Sequence, residues 1–336
     1  MPDIGFPAQP RAFNLARVIR DVRSQVDNTQ IEAVTGRLTD PAAALGGRIA
    51  DLVGIEKRLT DLNEYSEIIA LSEGRAGTTQ TVLQTLEDTA VETASASVVA
   101  LQSGLVGGLE IFGSTARGAL DTVIAALNTS FGSRMLFAGD TPDQVPMASP
   151  EDILAEVTAI MAAQPTAGAA YAAVQNDFNA AGGVYETAIY GGGTGDAPAT
   201  EIAPGERVDY GVRADEQAIR DLLRNLAVAT VANDPASGFN ADERRDLTER
   251  AADGMRSAAA GLTGLIATVG TAQQRIGDVK ARNLGEEAAL TISYNDLAAR
   301  DQFEAAAELS SLEGQLEGLF LTTSRLSQLS LANFIR

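Results

Sequence analysis

The stretch Thr39–Ile69, "TDPAAALGGRIADLVGIEKRLTDLNEYSEII", decides the fold. Apolar residues return every three or four positions: Leu45, Ile49, Leu52, Ile55, Leu59, Leu62 and Ile69, with Tyr65 and Ile68 beside them. Lys57, Arg58, Asp61, Glu64 and Glu67 fall mostly off that line. Such a 3-4 repeat puts one apolar stripe along one helix face, with coiled-coil spacing. Thr39 or Asp40 supplies a capping oxygen, and Pro41 suits the first helical position, where no N–H is needed. No proline follows until Pro142, so helix can run on for many turns. Gly104, Gly107, Gly108 and Gly113 in "SGLVGGLEIFGS" lower helix propensity, and a break is expected there. A second helix is expected from about Thr115 to Asn128.

The same pattern returns after the last proline, Pro235. In "NADERRDL", Asn240 with Glu243 three residues on matches a capping box. Val269, Ala272, Ile276 and Val279 share one stripe. Leu309, Leu312, Leu316, Leu319 and Leu326 continue it, with Thr323 at the intervening position, and the apolar character persists through Leu329, Leu331 and Phe334. Near the other end, a helix over about Phe13–Val34 carries Leu15, Val18, Val22 and Val26. The expected architecture is mainly α. A long helical coiled-coil rod is built from both chain ends, because each seam would otherwise face water.

Between these stretches the prolines and glycines cluster. Ser149 and Pro150 start a short helix, and another is expected over Ala169–Ala181. "GVYETAIY" and "ERVDYGVR" alternate enough to read as strands, joined by a flexible Gly-rich loop over 191–205. "DEQAIRDLLRNLAVATV" reads as a helix capped by Asp215. This is a small mixed α/β insertion. The expected division is residues 1–40 and 290–336 as terminal helices, 41–145 and 240–289 as the rod, and 146–239 as the insertion.

Composition narrows the function. The 336 residues carry 45 acidic against 25 basic side chains, a net charge of -20. That disfavours nucleic acid and anionic membranes as partners, since both need clustered Lys and Arg. Cys and His are absent, which removes thiol nucleophiles, imidazole acid–base chemistry and ordinary zinc or haem ligation. "GGGTGDA", Gly191–Ala197, lacks the Lys-Ser/Thr of a phosphate loop. "NDPASGFNADE" lacks EF-hand spacing. No two carboxylates are pinned together as a glycosidase needs. No cofactor, metal or catalytic residue is expected. The uncharged stretch Val157–Asn176 contains Gln164, Pro165 and Thr166 and is a poor membrane span. The opening "MPDIGFPAQPRAFNLARVIRDV" lacks the regions of a cleaved signal peptide.

Taken in order, several segments resemble the flagellin family. The first is "QIEAVTGRLTDPAAALGGRIADL", with Thr35–Gly36 and Asp40–Pro41–Ala42 in the places of the family's turn. "FGSRMLFAGDTPDQVP" is similar to its strand and turn after the second helix. "VGTAQQRIGDVKARNL" is similar to the start of its returning helix, and "RLSQLSLANFIR" to its closing segment. The turn and the ending are closer to the hook-associated members, which join hook to filament, than to true flagellins. "GRLTDPAAA" is shorter than the family's usual run, so a rebuilt turn is expected before the long helix.

The resemblance implies a non-catalytic structural subunit of an extracellular tube, exported unfolded through the flagellar type III channel without a cleaved signal. It implies an export chaperone, a homo-oligomeric ring, and a neighbouring hook-associated protein and flagellin as axial partners. It makes Leu15, Val18, Val22, Val26, Leu309, Leu312, Leu316, Leu319, Leu326, Leu329, Leu331 and Phe334 subunit-interface residues. From the residues alone these stripes are either an intramolecular core or an intersubunit seam. "MLFAGD" is likewise either a buried strand or a lattice contact. The rival functions are a flagellin, which forms the filament itself, a type III translocator, which needs an apolar hairpin absent here, and an enzyme.

Overall fold

The computed structural model describes residues 8–46, 49–102 and 107–334, with side chains described from Phe13 to Arg325 in those ranges. Nine α-helices are found among them: α1 Ala8–Thr35, α2 Pro41–Leu45, α3 Ile49–Gln102, α4 Gly108–Leu127, α5 Pro150–Ala162, α6 Ala167–Asn179, α7 Gln217–Ala232, α8 Ala241–Ala298 and α9 Gln302–Phe334. Strands β1 (Ser130–Phe131) and β2 (Arg134–Met135) form one antiparallel hairpin, and β3 (Thr200–Ala203) and β4 (Glu206–Val208) another. The fold is mainly α with a small mixed insertion. The chain forms two compact units, residues 1–63 with 284–336, and residues 64–283. The division passes through α3 and through α8.

In the first unit α1 and α9 pack antiparallel along their lengths. Val22 and Thr29 on α1, and Ala305 and Leu312 on α9, are buried. Leu15, Ile19 and Val26, and Leu309, Leu316, Leu319 and Thr323, are half-buried between them. Both series step by three and four residues, the repeat that keeps a seam facing its partner. The caps come from the sequence. Asp40 accepts the Ala43 N–H at 3.0 Å to start α2, with Pro41 in the first turn. Gly46 follows α2 at positive φ.

The stripe of the second long stretch does not run through one helix. α8 ends at Ala298 and α9 starts at Gln302. Ala299 instead pairs with Arg37 as an isolated antiparallel bridge. The Leu38 N–H donates to the Ala298 carbonyl at 3.0 Å, and the Arg300 N–H to the Gly36 carbonyl at 2.9 Å. Asp301 then caps α9, accepting the Phe303 and Glu304 N–H groups. The extended backbone of Arg37–Leu38 offers partners that outcompete one turn of helix.

The second unit holds the main core. Leu83, Leu86 and Ala90 of α3 meet Leu120, Val123 and Leu127 of α4, Leu222 and Leu226 of α7, and Met255 and Leu262 of α8. α5 and α6 close the other side with Ile153, Val157, Val174 and Phe178. α7 is buried on most of its circumference between Ile219 and Ala232. Its buried Asn225 is therefore bonded, accepting from the Tyr171 hydroxyl at 2.9 Å and donating to the Asp221 carbonyl. Val269, Ala272, Ile276 and Val279 are all buried, and all but Val269 pack with Ile69, Ala76, Ile202 and Val208 in a smaller cluster. Asn240 and Glu243 form the reciprocal box at the start of α8, each side chain accepting the other's backbone N–H at 3.0 Å.

Five local expectations need correcting. α4 begins at Gly108, not Thr115, after Gly107 turns the chain at φ 83°. Gly113 fits inside it because α4 passes so close to Asn233 that a Cβ would lie 2.8 Å from that side chain. "GVYETAIY" forms a π-helical turn over Tyr185–Ile189 rather than a strand. Glu186 accepts the Gly182 N–H and Asp177 accepts the Val184 N–H, which ties the turn to its own flanks. The strand partner of Glu206–Val208 is Thr200–Ala203, from within the presumed loop.

Asp215 does not cap α7, since Glu216 occupies that place. The Asp215 carboxylate lies 3.2 Å from the Arg213 guanidinium, and Arg220 donates to its carbonyl at 2.9 Å. Burial nevertheless pushes its carboxyl up. The Gly-rich segment is fastened rather than free. Gly193 N–H donates to the Ala138 carbonyl at 2.9 Å, Asp140 N–H to the Gly195 carbonyl at 3.0 Å, and the Tyr190 hydroxyl to the Gly193 carbonyl at 2.9 Å. Of "MLFAGD", only Met135 is in a strand, while Phe137 and Ala138 are fully buried.

Candidate assembly surface

The first unit is locked by a few polar contacts. The Arg300 guanidinium lies 3.7 Å from Glu32 and 3.6 Å from Glu304, and bonds Glu308. Glu32 also accepts the Thr39 N–H at 2.9 Å and the Thr39 hydroxyl at 2.7 Å. Glu32 on α1 therefore meets both the turn before α2 and the start of α9. Arg58 of α3 grips Glu286 of α8 with two bonds of 2.6 and 3.0 Å. That bidentate pair holds the Glu286 carboxyl below its usual range. The Tyr294 hydroxyl bonds Glu56, which pushes the phenol up.

With the polar ends so fixed, the expected interface residues fall into three groups. Val22 and Leu312 are buried between α1 and α9, and Leu15, Val26, Leu309, Leu316 and Leu319 are half-buried there. These side chains face a partner helix of the same chain. Val18 lies outside that seam, being 42% exposed. The seam steps from Leu15 to Ile19 to Val22, so Ile19 takes the inward place and Val18 lies one residue, or ~100° of helix, off it. Leu326, Leu329, Leu331 and Phe334 belong to the last turns of α9, and their side chains lie outside the described residues.

A second apolar set remains uncovered. Phe13, Ile31 and Val34 on α1 and Phe303, Phe320 and Leu321 on α9 are exposed, Phe303 by 90%. Leu316, Phe320 and Leu321 line a shallow apolar groove edged by Glu313 and Glu317. The signal was present in "GLFL": Leu319–Leu321 spans a wider arc than one seam can cover. Exposed clusters of large apolar side chains mark interaction surfaces. Among the described residues no group of three or more His, Cys, Asp or Glu side chains could hold a metal, and no helix is long and apolar enough to cross a membrane.

These features define a mainly α protein whose terminal helices pair with each other and leave several large apolar side chains exposed. A scan against protein-family models and a search of curated proteins gave no match. Solved structures did match. The crystal structure of FlgL from Bacillus cereus superposes with a TM-score of 0.54 at 16% identity, covering 72% of this chain and 99% of that one. A candidate flagellar hook-associated protein from Vibrio parahaemolyticus matches with a TM-score of 0.52 at 10% identity, over 74% and 96% of the two chains. The chain is thus similar in fold to flagellar hook-associated proteins.

Proposed function

We propose that this chain is a structural, non-catalytic subunit of the bacterial flagellum, similar to hook-associated protein 3, that joins hook to filament by self-assembly. One observation carries the reading. The terminal helix pair covers its inner seam yet leaves Phe13, Phe303, Phe320 and Leu321 exposed, a second layer of apolar surface that a neighbouring subunit can bury. The fold shared with hook-associated proteins supports it. So does the order of sequence segments from "GRLTDP" to "SLANFIR".

Assembly then draws on many small terms. Phe320 and Leu321 are 48% and 59% exposed. Finishing their burial contributes about 1 kcal/mol each, half of the ~1.5–3 kcal/mol that fully burying such a side chain gives. A closed ring repeats that contact at every subunit, so weak contacts add. Charged neighbours such as Glu313 and Glu317 set register more than affinity. The subunit would leave the cell unfolded through the type III channel with a chaperone on its terminal helices. It would then meet a hook-associated protein on one side and flagellin on the other.

Deletion of Leu326–Arg336 tests this. The truncated chain is expected to be exported and to fold its second unit, but to leave cells shedding filaments from their hooks. Normal motility with the truncation would overturn the proposal. Long homopolymers grown from the purified chain alone would instead mark a filament subunit.

A further inference from the structure

The second unit contains two guanidinium groups that the rest of its electrostatics leaves out. Arg117, Arg207, Arg213, Arg220, Arg224, Arg244, Arg250, Arg256, Arg275 and Arg282 each have a carboxylate within ion-pair distance. Arg245 donates to the Leu101 carbonyl. Among the described residues Arg75 and Arg134 have neither, in a chain with 45 acidic side chains. Both line one cavity of about 40 Å³. It lies where α3 (Arg75, Thr79), the first hairpin (Arg134) and the second hairpin (Thr200, Asp209, Tyr210) converge. The Nε of Arg75 is buried with no hydrogen-bond acceptor. A buried donor on a cation stays unpaired only at a cost, which an acceptor brought by a bound ligand would remove.

We propose that this cavity is a binding site for a carboxylate group. Charge chooses that class. The lining residues include two arginines and one carboxylate, Asp209, whose oxygen is already engaged by the Gly211 N–H at 2.9 Å. The balance is one positive charge, which a carboxylate neutralises and a phosphate dianion overshoots. The cavity is roughly three times the ~10–15 Å³ that one water-sized sphere needs, room for a formate- or acetate-sized head. The planar guanidinium fork matches two carboxylate oxygens, and the Tyr210 hydroxyl, 3.4 Å from that of Thr200, stands at the wall as a further donor. The carboxylate comes either from a small free acid or from an Asp or Glu side chain of another polypeptide. The site lies wholly within the second unit and does not rest on the flagellar reading.

The full-length chain with ¹⁵N at its arginine Nε positions tests this by NMR. Acetate is titrated in exchange for chloride at constant ionic strength and neutral pH. Saturable shifts confined to the Arg75 and Arg134 Nε–H signals are expected. Arg134→Gln should weaken acetate binding at least tenfold at the remaining Arg75 signal, and Arg75→Gln should do the same at Arg134. Neither guanidinium has a partner to lose, so both variants should keep the parent's melting temperature. N-acetylglutamate amide binding as well as acetate assigns a protruding side chain as the source. Binding of acetate but not of the capped amide assigns a free small acid. No saturable shift, equal shifts at all arginines, or phosphate displacing acetate at equal concentration overturns the proposal.

Discussion

Replacing Leu312 by alanine measures how far the two chain ends hold each other. Leu312 is 8% exposed, at the middle of the seam between α1 and α9. Leu→Ala in a closed core costs ~2–5 kcal/mol. A seam between two helices is open along its sides and relaxes, so the low end applies, about 2 kcal/mol. That is about a 30-fold rise in the open population of the pair. The assay is amide hydrogen exchange on the dilute chain, followed residue by residue in α1, α9 and α7. Protection in both α1 and α9 should fall by that factor, while α7 in the second unit stays unchanged. Two further variants place the seam. Ile19→Ala should weaken α1 by about 1 kcal/mol, whereas Val18→Ala, at a 42% exposed site, should stay within ~0.5 kcal/mol. If Val18→Ala costs as much as Ile19→Ala, or if Leu312→Ala leaves α1 untouched, the intramolecular pairing is wrong.

Two more outcomes follow from the second unit. Gly139 has φ 64°, and a Cβ there would lie 2.5 Å from the Gly195 carbonyl oxygen. Gly139→Ala should therefore cost about 2 kcal/mol or more in chemical denaturation, and a neutral effect would mean that the Gly-rich segment is not fastened there. Burial pushes the Tyr190 phenol up to about 12 from 10.0, and drives that of Tyr185, whose hydroxyl donates to the Ala214 carbonyl, higher still. Folding then keeps these protons where the unfolded chain has released them, so stability is level below pH 10 and falls as pH rises from 10 to 12. Denaturant midpoints measured across that range should drop, less steeply for Tyr190→Phe; a level curve to pH 12 would contradict the burial.

Much of the helical frame could be read from residues whose physics is local. Asn240 and Glu243 fix the start of α8, and Ser149 with Pro150 starts α5, because caps need only neighbours in sequence. The stripe Val269–Val279 was visible for the same reason: helical period alone puts those side chains on one face. What stayed hidden depends on distant chain. Nothing around Ala299 breaks a helix; Arg37, far away in sequence, does. "GVYETAIY" lacks the period of a helix, and its turn is held by Asp177 and Glu186 side chains. On the candidate surface, the choice between Val18 and Ile19 turns on which face α9 meets. The exposed Phe303 and Phe320 carry no period that separates an interface from a core.

The bridge between Arg37 and Ala299 has a consequence for the pairing of the chain ends. A seam with a seven-residue repeat is nearly self-similar, so α1 could slide past α9 by one heptad, ~10.5 Å, and find apolar partners again. The bridge interrupts that translational symmetry. Sliding would break the Leu38–Ala298 and Arg300–Gly36 bonds and part Arg300 from Glu32, with no equivalent groups one heptad away to replace them. Two chain ends that nearly match in many alignments thus come to rest in one, and the exposed side chains of α1 and α9 keep one arrangement relative to each other.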